Sequence, residues 1–167
     1  MTDSAPSSAA TVDTTADYQK TIRVKASPDA LFDAVTTVSG ITAWWNPVEG
    51  SGLTGGRLSF FMGAPDALVI HVDEARRPVS VSWSVTDCPV LPDWVGTRLT
   101  FAITAIDGDT SELRFRHHGL TPELDCVDMC TRSWNHYMDS LREYVETGRG
   151  MPFGSSADQA RREAEGR

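Results

Sequence analysis

The run VSVSWSVT, residues 79–86, alternates apolar and polar side chains without a break, so Val79, Val81, Trp83 and Val85 share one face of an extended strand and the serines share the other. A chain that repeats this pattern must build a sheet with one face to bury. It does repeat it. YQKTIRVK (18–25), RLSFFM (57–62), ALVIHVDE (67–74), TRLTFAITAI (97–106) and SELRFRHH (111–118) all read as strands, with Asp107-Gly108-Asp109 as a tight hairpin between the last two. His117 falls on the face of Leu113 and Phe115 and so points inward, while His118 points outward. ALVIHV is apolar in both registers, which leaves the face of His71 open.

The helical signals are fewer. SPDALFDAVTT offers Ser27 as N-cap, Pro28 at the first helical position and Leu31, Phe32 and Val35 as an apolar stripe, which predicts a short helix. GITAWW (40–45) predicts a second, ended by Asn46-Pro47. After the Gly119-Leu120-Thr121-Pro122 turn, residues 124–147 read as one long helix with Gly148 as its stop. Cys126, Cys130, Ser133, Trp134, Tyr137, Leu141, Tyr144 and Val145 line one face of it, with Met129 and Met138 at the edge. The only economical way to bury an apolar sheet face with one long helix is an α+β arrangement in which a curved antiparallel sheet grips that helix. The expected core includes Leu31, Phe32, Leu58, Phe60, Val81, Trp83, Leu99, Phe101, Leu113, Phe115, Trp134 and Leu141.

With 167 residues the chain is expected to form one domain able to bury a core without staples. Residues 1–17, rich in Ser, Thr and Ala with neither an apolar nor a basic region, read as a disordered tail. The ordered domain spans 18–153. Residues 154–167 read as a polar tail, with a short surface helix over 160–165. A formal charge of −8 argues against nucleic acid or an anionic membrane as partner. Three cysteines, Cys88, Cys126 and Cys130, suit a reducing cytoplasm better than a disulfide framework. Cys126 and Cys130 lie one helical turn apart, but no further ligands complete a metal site, so neither a cofactor nor a metal nor a structural disulfide is expected. GSGLTGG is no phosphate loop, since it lacks the Lys-Ser/Thr ending and a strand follows it; glycines 50, 52, 55 and 56 read instead as a flexible mouth.

The opening strand with SPDALFDAVTT, the tryptophan-containing loop before GGRLSF, the strand ending in Trp83, GDTSELRFRHHGL and the helix SWNHYMDSLREYVETG, in this order, resemble the family named for activators of heat-shock protein 90 ATPase. That family belongs to the START-like (SRPBCC) superfamily with the helix-grip fold of the birch pollen allergen. The resemblance covers residues 18–149 and implies a cavity between sheet and helix that holds a small hydrophobic or aromatic ligand. It implies Trp44 and Trp45 near the mouth of that cavity. Phe60, Trp83, Phe101, Phe115, His117, Trp134 and Met138 would be its walls.

Three functions follow for such a chain. The first is binding of a small hydrophobic or aromatic molecule. The second is a cyclase-like or hydrolase-like enzyme using the same cavity, for which His117 with His71 or Tyr137 is the acid/base set the sequence offers. The third is a module stimulating a chaperone ATPase, an alternative weakened by the single domain; a homodimer is compatible with all three. Asp33, Asp73, Glu112 and Asp139 fall on polar sides or at ends, so binding ranks above catalysis and no catalytic residue is assigned.

Overall fold

The computed structural model describes residues 17–64 and 66–166. The expected tail over 1–17 therefore lies, except for Asp17, outside the described residues. Among the described residues seven strands form one antiparallel sheet: β1 (Tyr18–Val24), β2 (Val48–Gly50), β3 (Arg57–Phe60), β4 (Leu68–Arg76), β5 (Ser80–Asp87), β6 (Arg98–Ala105) and β7 (Ser111–His118). Their order is β1-β7-β6-β5-β4-β3-β2, a meander whose first strand closes against its last. Register places inward residues opposite one another, as in Val81 with Phe101, Trp83 with Leu99, and Phe101 with Phe115. One face is thereby a continuous apolar row. Two irregularities in β4, at Val69/Ile70 and Val72/Glu74, bend the sheet.

Four α-helices accompany the sheet among the described residues: α1 (Pro28–Thr36), α2 (Val38–Trp44), α3 (Val127–Thr147) and α4 (Ser156–Ala164). The Ser27 hydroxyl accepts from Ala30 N–H at 3.1 Å, capping α1 as the sequence predicts. Thr37 does the same for Gly40 at 3.0 Å and starts α2 two residues earlier than expected. Gly148, at φ 85°, ends α3 in the left-handed conformation, its N–H donating to Tyr144 C=O at 2.7 Å. Along α3, Cys130, Trp134, Tyr137, Met138, Ser140 and Leu141 are buried, so the gripped face includes Met138 at its centre. All twelve expected core residues are buried. No described helix is long and apolar enough to cross a membrane.

The structure corrects several details. Val79 is 42% exposed because it sits in the β4–β5 turn, one residue before pairing begins. Residues 48–50 pair with β3 as an edge strand that has no alternation of its own. Gly50 at its end and Gly52 and Gly56 beyond it are packing devices, whereas Gly55, at φ 85°, has open space where a Cβ would stand. A Cβ on Gly50, which has φ 117°, would stand 1.9 Å from Arg57 O, and one on Gly52 would stand 2.0 Å from Thr36 O. Only glycine lets this loop lie against β3 and the end of α1.

Candidate functional site

The space between sheet and α3 is filled by rings. Trp45 stacks on Trp44 (centroids 5.8 Å, 17°) and on Trp83 (6.3 Å, 7°), and tilts against Phe60 at 4.6 Å and Trp134 at 5.0 Å. Phe101 and Phe115 continue the cluster at 5.1 Å. Trp44 donates its indole N–H to Ala34 C=O at 2.8 Å, and the Ser140 hydroxyl donates to Trp44 C=O at 2.8 Å. These bonds fix the α2 end against α3. Both indoles of the pair are thus core, at 0% and 2% exposure. Trp83 Nε1 is buried without a hydrogen-bond partner among the described residues, against rings on several sides.

His117 lies at the edge of this cluster, fully buried. The Thr97 hydroxyl spends its one proton on Trp94 C=O at 2.6 Å, so at 2.9 Å it accepts the proton of His117 Nε2. Nδ1 is then bare and accepts the Trp134 indole N–H at 3.1 Å. The network selects one neutral tautomer and occupies both nitrogens. Burial pushes the imidazole pKa down to about 3; the Asp17 carboxylate opposes this and His118 adds to it. The residues offered for proton transfer are not brought together. His71 is exposed on the solvent face, with Nδ1 3.0 Å from Asp73. Tyr137 donates its hydroxyl to Asp158 at 3.0 Å, and burial followed by that carboxylate raises its pKa.

An open groove of about 270 Å³ lies beside this core, over the first half of α3. Of the nine residues assigned above to a ligand site, Trp134 lines it. Beside Trp134 the groove is lined by a residue that periodicity does not mark. In CPVLPDWVG, Pro92 opens a single 3-10 turn, Pro92–Trp94, whose N–H at Trp94 donates to Leu91 C=O at 2.9 Å. That turn folds the Trp94 ring inward to stack parallel to Trp134 (5.9 Å, 14°) and edge-on to His117 at 4.6 Å. A lone tryptophan beside two prolines was the signal available. The Trp94 indole N–H reaches Cys130 Sγ at 3.3 Å. Burial, then the contact with Cys126, raises the Cys130 thiol to about 12, so it stays protonated. Cys88, Cys126 and Cys130 are free and buried. Met62, Val90, Leu91, Met129 and Phe153 add to the apolar lining.

The third wall comes from residues read as a polar tail. α4 begins at Ser156, four residues before the expected surface helix, with Ser155 capping Asp158 N–H at 3.2 Å. Asp158 is fully buried and is the latch. It accepts from Tyr137 (3.0 Å), Gly154 N–H (3.0 Å), Arg161 (2.7 Å) and Arg162 (3.3 Å). Burial disfavours its charge, but these donors outweigh burial and hold the carboxyl below its ordinary range. The latch stability is therefore present above the ordinary carboxylate range and lost as pH falls through the lowered folded value. Phe153 N–H donates to Trp45 C=O at 2.7 Å, tying the same segment to the core. Asp158→Asn should undock α4 and raise the rate of tryptic cleavage after Arg161 and Arg162 by about tenfold with α3 still folded. Unchanged cleavage would show that the latch does not hold the helix.

Curated proteins give no sequence match. Among solved structures, the chain is similar to the Aha1 dimer from Colwellia psychrerythraea, at 26% identity and TM-score 0.68, covering 79% of this chain and 97% of that one. It also shares its fold with CalU16 from Micromonospora echinospora (18% identity, TM-score 0.64, 87% and 83% covered). The same holds for an HSP90 activator from Plasmodium falciparum (17% identity, TM-score 0.59, 71% and 87% covered). A sequence profile described as "Activator of Hsp90 ATPase homolog 1-like protein" matches residues 25–146, from the end of β1 almost to the end of α3. Since that match takes in most of the chain and the sheet, the two short helices and the gripped helix agree with it, the chain belongs to the family of activator of Hsp90 ATPase homolog 1-like proteins.

Proposed function

We propose that this protein binds a small hydrophobic or aromatic molecule in the groove between α3, the 3-10 turn and α4. The observation that carries this reading is the paired face of Trp94 and Trp134 opening onto about 270 Å³ beside two thioethers, Met62 and Met129. Flat rings and polarizable sulfur suit an aromatic guest. The volume suits a ligand of roughly ten to fifteen heavy atoms, for which about 0.3–0.5 kcal/mol per atom corresponds to dissociation constants from several millimolar down to a few micromolar. Binding is favoured over proton transfer because His117, Tyr137 and Cys130 are neutral and committed to partners. The remaining ring residues of the expected site, Trp44, Trp45, Phe60, Trp83, Phe101 and Phe115, serve as the rigid backing of the groove.

The test is an NMR titration with 2-naphthamide, following the indole N–H signals of the five tryptophans. Saturable shifts at Trp94 and Trp134 are expected. Met129→Trp should fill the groove and weaken binding by at least about tenfold while the melting temperature holds. Binding that ignores this substitution would place the guest elsewhere. A second reading, stimulation of a chaperone ATPase, draws support from the family and from the likeness to an Aha1 dimer. Addition of this protein to a purified Hsp90 should then raise ATP turnover, and sedimentation should show whether two copies associate.

A further inference from the structure

We infer that the ligand taken by this groove is an aromatic or apolar molecule bearing one anionic head, a carboxylate above all, set against the Arg162 guanidinium; the inference rests on the groove being a ligand site. Among the described residues the charged side chains lining the groove are Arg161 and Arg162, and no carboxylate lines it. The acid that pairs with both, Asp158, is fully buried behind them and offsets part of their charge without lining the groove. At the α4 end Arg132, Arg161 and Arg162 are ion-paired with Asp158 and Glu165, and Glu163 stands exposed on the same helix, outside the groove lining. The groove lining itself is thus cationic within a chain of formal charge −8. A cationic end on an otherwise apolar groove is complementary to an amphipathic monoanion.

Arg162 is placed to make the contact. Its Nε is held by Asp158 at 3.3 Å and its guanidinium lies over the Phe153 ring at 4.8 Å, so the plane is fixed. Its two terminal nitrogens have no hydrogen bond among the described residues, and its side chain is one-third exposed, at 33%. A planar fork held from behind and open in front fits the two oxygens of a carboxylate. Arg161 differs: its terminal nitrogens are taken by Asp158 and Glu165, and it stacks over Tyr137 at 5.5 Å. Arg161 supplies background charge and Arg162 the contact.

The test uses 2-naphthoate and 2-naphthamide, which match in shape and heavy-atom count and differ in charge. Both are titrated by NMR against the full chain. Naphthoate is expected to bind about tenfold more tightly, the size of one partly solvated charge-assisted contact. In Arg162→Gln the ratio of the two affinities should fall to within about twofold, whatever change the two share, and Arg162→Lys should keep part of the preference. Equal affinities for the two probes in the unmodified protein would overturn the anion inference and leave the groove reading standing. Saturation by neither probe would overturn both. A preference that persists unchanged in Arg162→Gln would overturn the assignment to this residue. The comparison of the two probes on the unmodified chain needs no variant to fold.

Discussion

Acidification from pH 6.5 to about 4 is expected to remove about 3 kcal/mol of folding free energy through the single imidazole of His117. Burial holds its folded pKa at about 3, against an ordinary value of 6.5. Between those values the unfolded chain carries a proton that the folded protein refuses, so stability rises with pH across the window and is complete above about 6.5. The slope is about 1.4 kcal/mol per pH unit. His118 and His136, whose pKa values burial also lowers, contribute in the same direction. The difference between the unmodified protein and His117→Gln isolates the one residue, because glutamine can still donate to Thr97 and accept from Trp134 yet does not titrate. Urea denaturation at a series of pH values should show the variant losing about one proton from its pH dependence. Parallel curves would mean that the folded imidazole ionises near its ordinary pKa, which the closed network forbids.

Trp134→Ala is the most damaging single truncation expected, at about 3–5 kcal/mol. Its ring touches Phe115 at 4.5 Å, Trp45 at 5.0 Å and Trp94 at 5.9 Å, and none of these can follow it into the space left behind without breaking other stacks. The same change strips His117 Nδ1 of its donor. Trp134→Phe keeps most of the packing and loses the N–H, so the part due to the hydrogen bond should read as about 1 kcal/mol. Because Trp134 also lines the groove, the alanine variant should accept a bulkier aromatic guest than the parent does, provided its fold survives the loss. Equilibrium unfolding of the two variants side by side decides this. A cost below about 1 kcal/mol for Trp134→Ala would show that the ring is not part of the packed interior. The effects of Trp134 and His117 substitutions should not add, since the two side chains share a bond.

The alternation in VSVSWSV, LTFAI and SELRFRH determined which residues face inward, because a strand offers only two faces and a one-residue slip would expose every ring. The long stripe from Cys126 to Val145 likewise determined the helix that the sheet must grip, and the order of elements pointed to the family. Those are local periodicities, and a single chain suffices to read them. Whether inward rings enclose a cavity or fill it is a matter of distances between elements, which no spacing encodes. Only the tertiary structure decided that Trp45 closes the interior against Trp44, Trp83 and Trp134. Only it decided that Trp94 turns inward from a loop, and that His71 and His117 stand on opposite faces of the sheet. The same is true of α4. Its residues are polar by composition, and composition says tail; a carboxylate becomes a latch only when Tyr137, 21 residues earlier, is carried by α3 to within 3.0 Å of it. Local pattern therefore settled which surfaces are buried, and long-range contact settled which groups meet, since burial depends on one element's own period and a site depends on the relative placement of several.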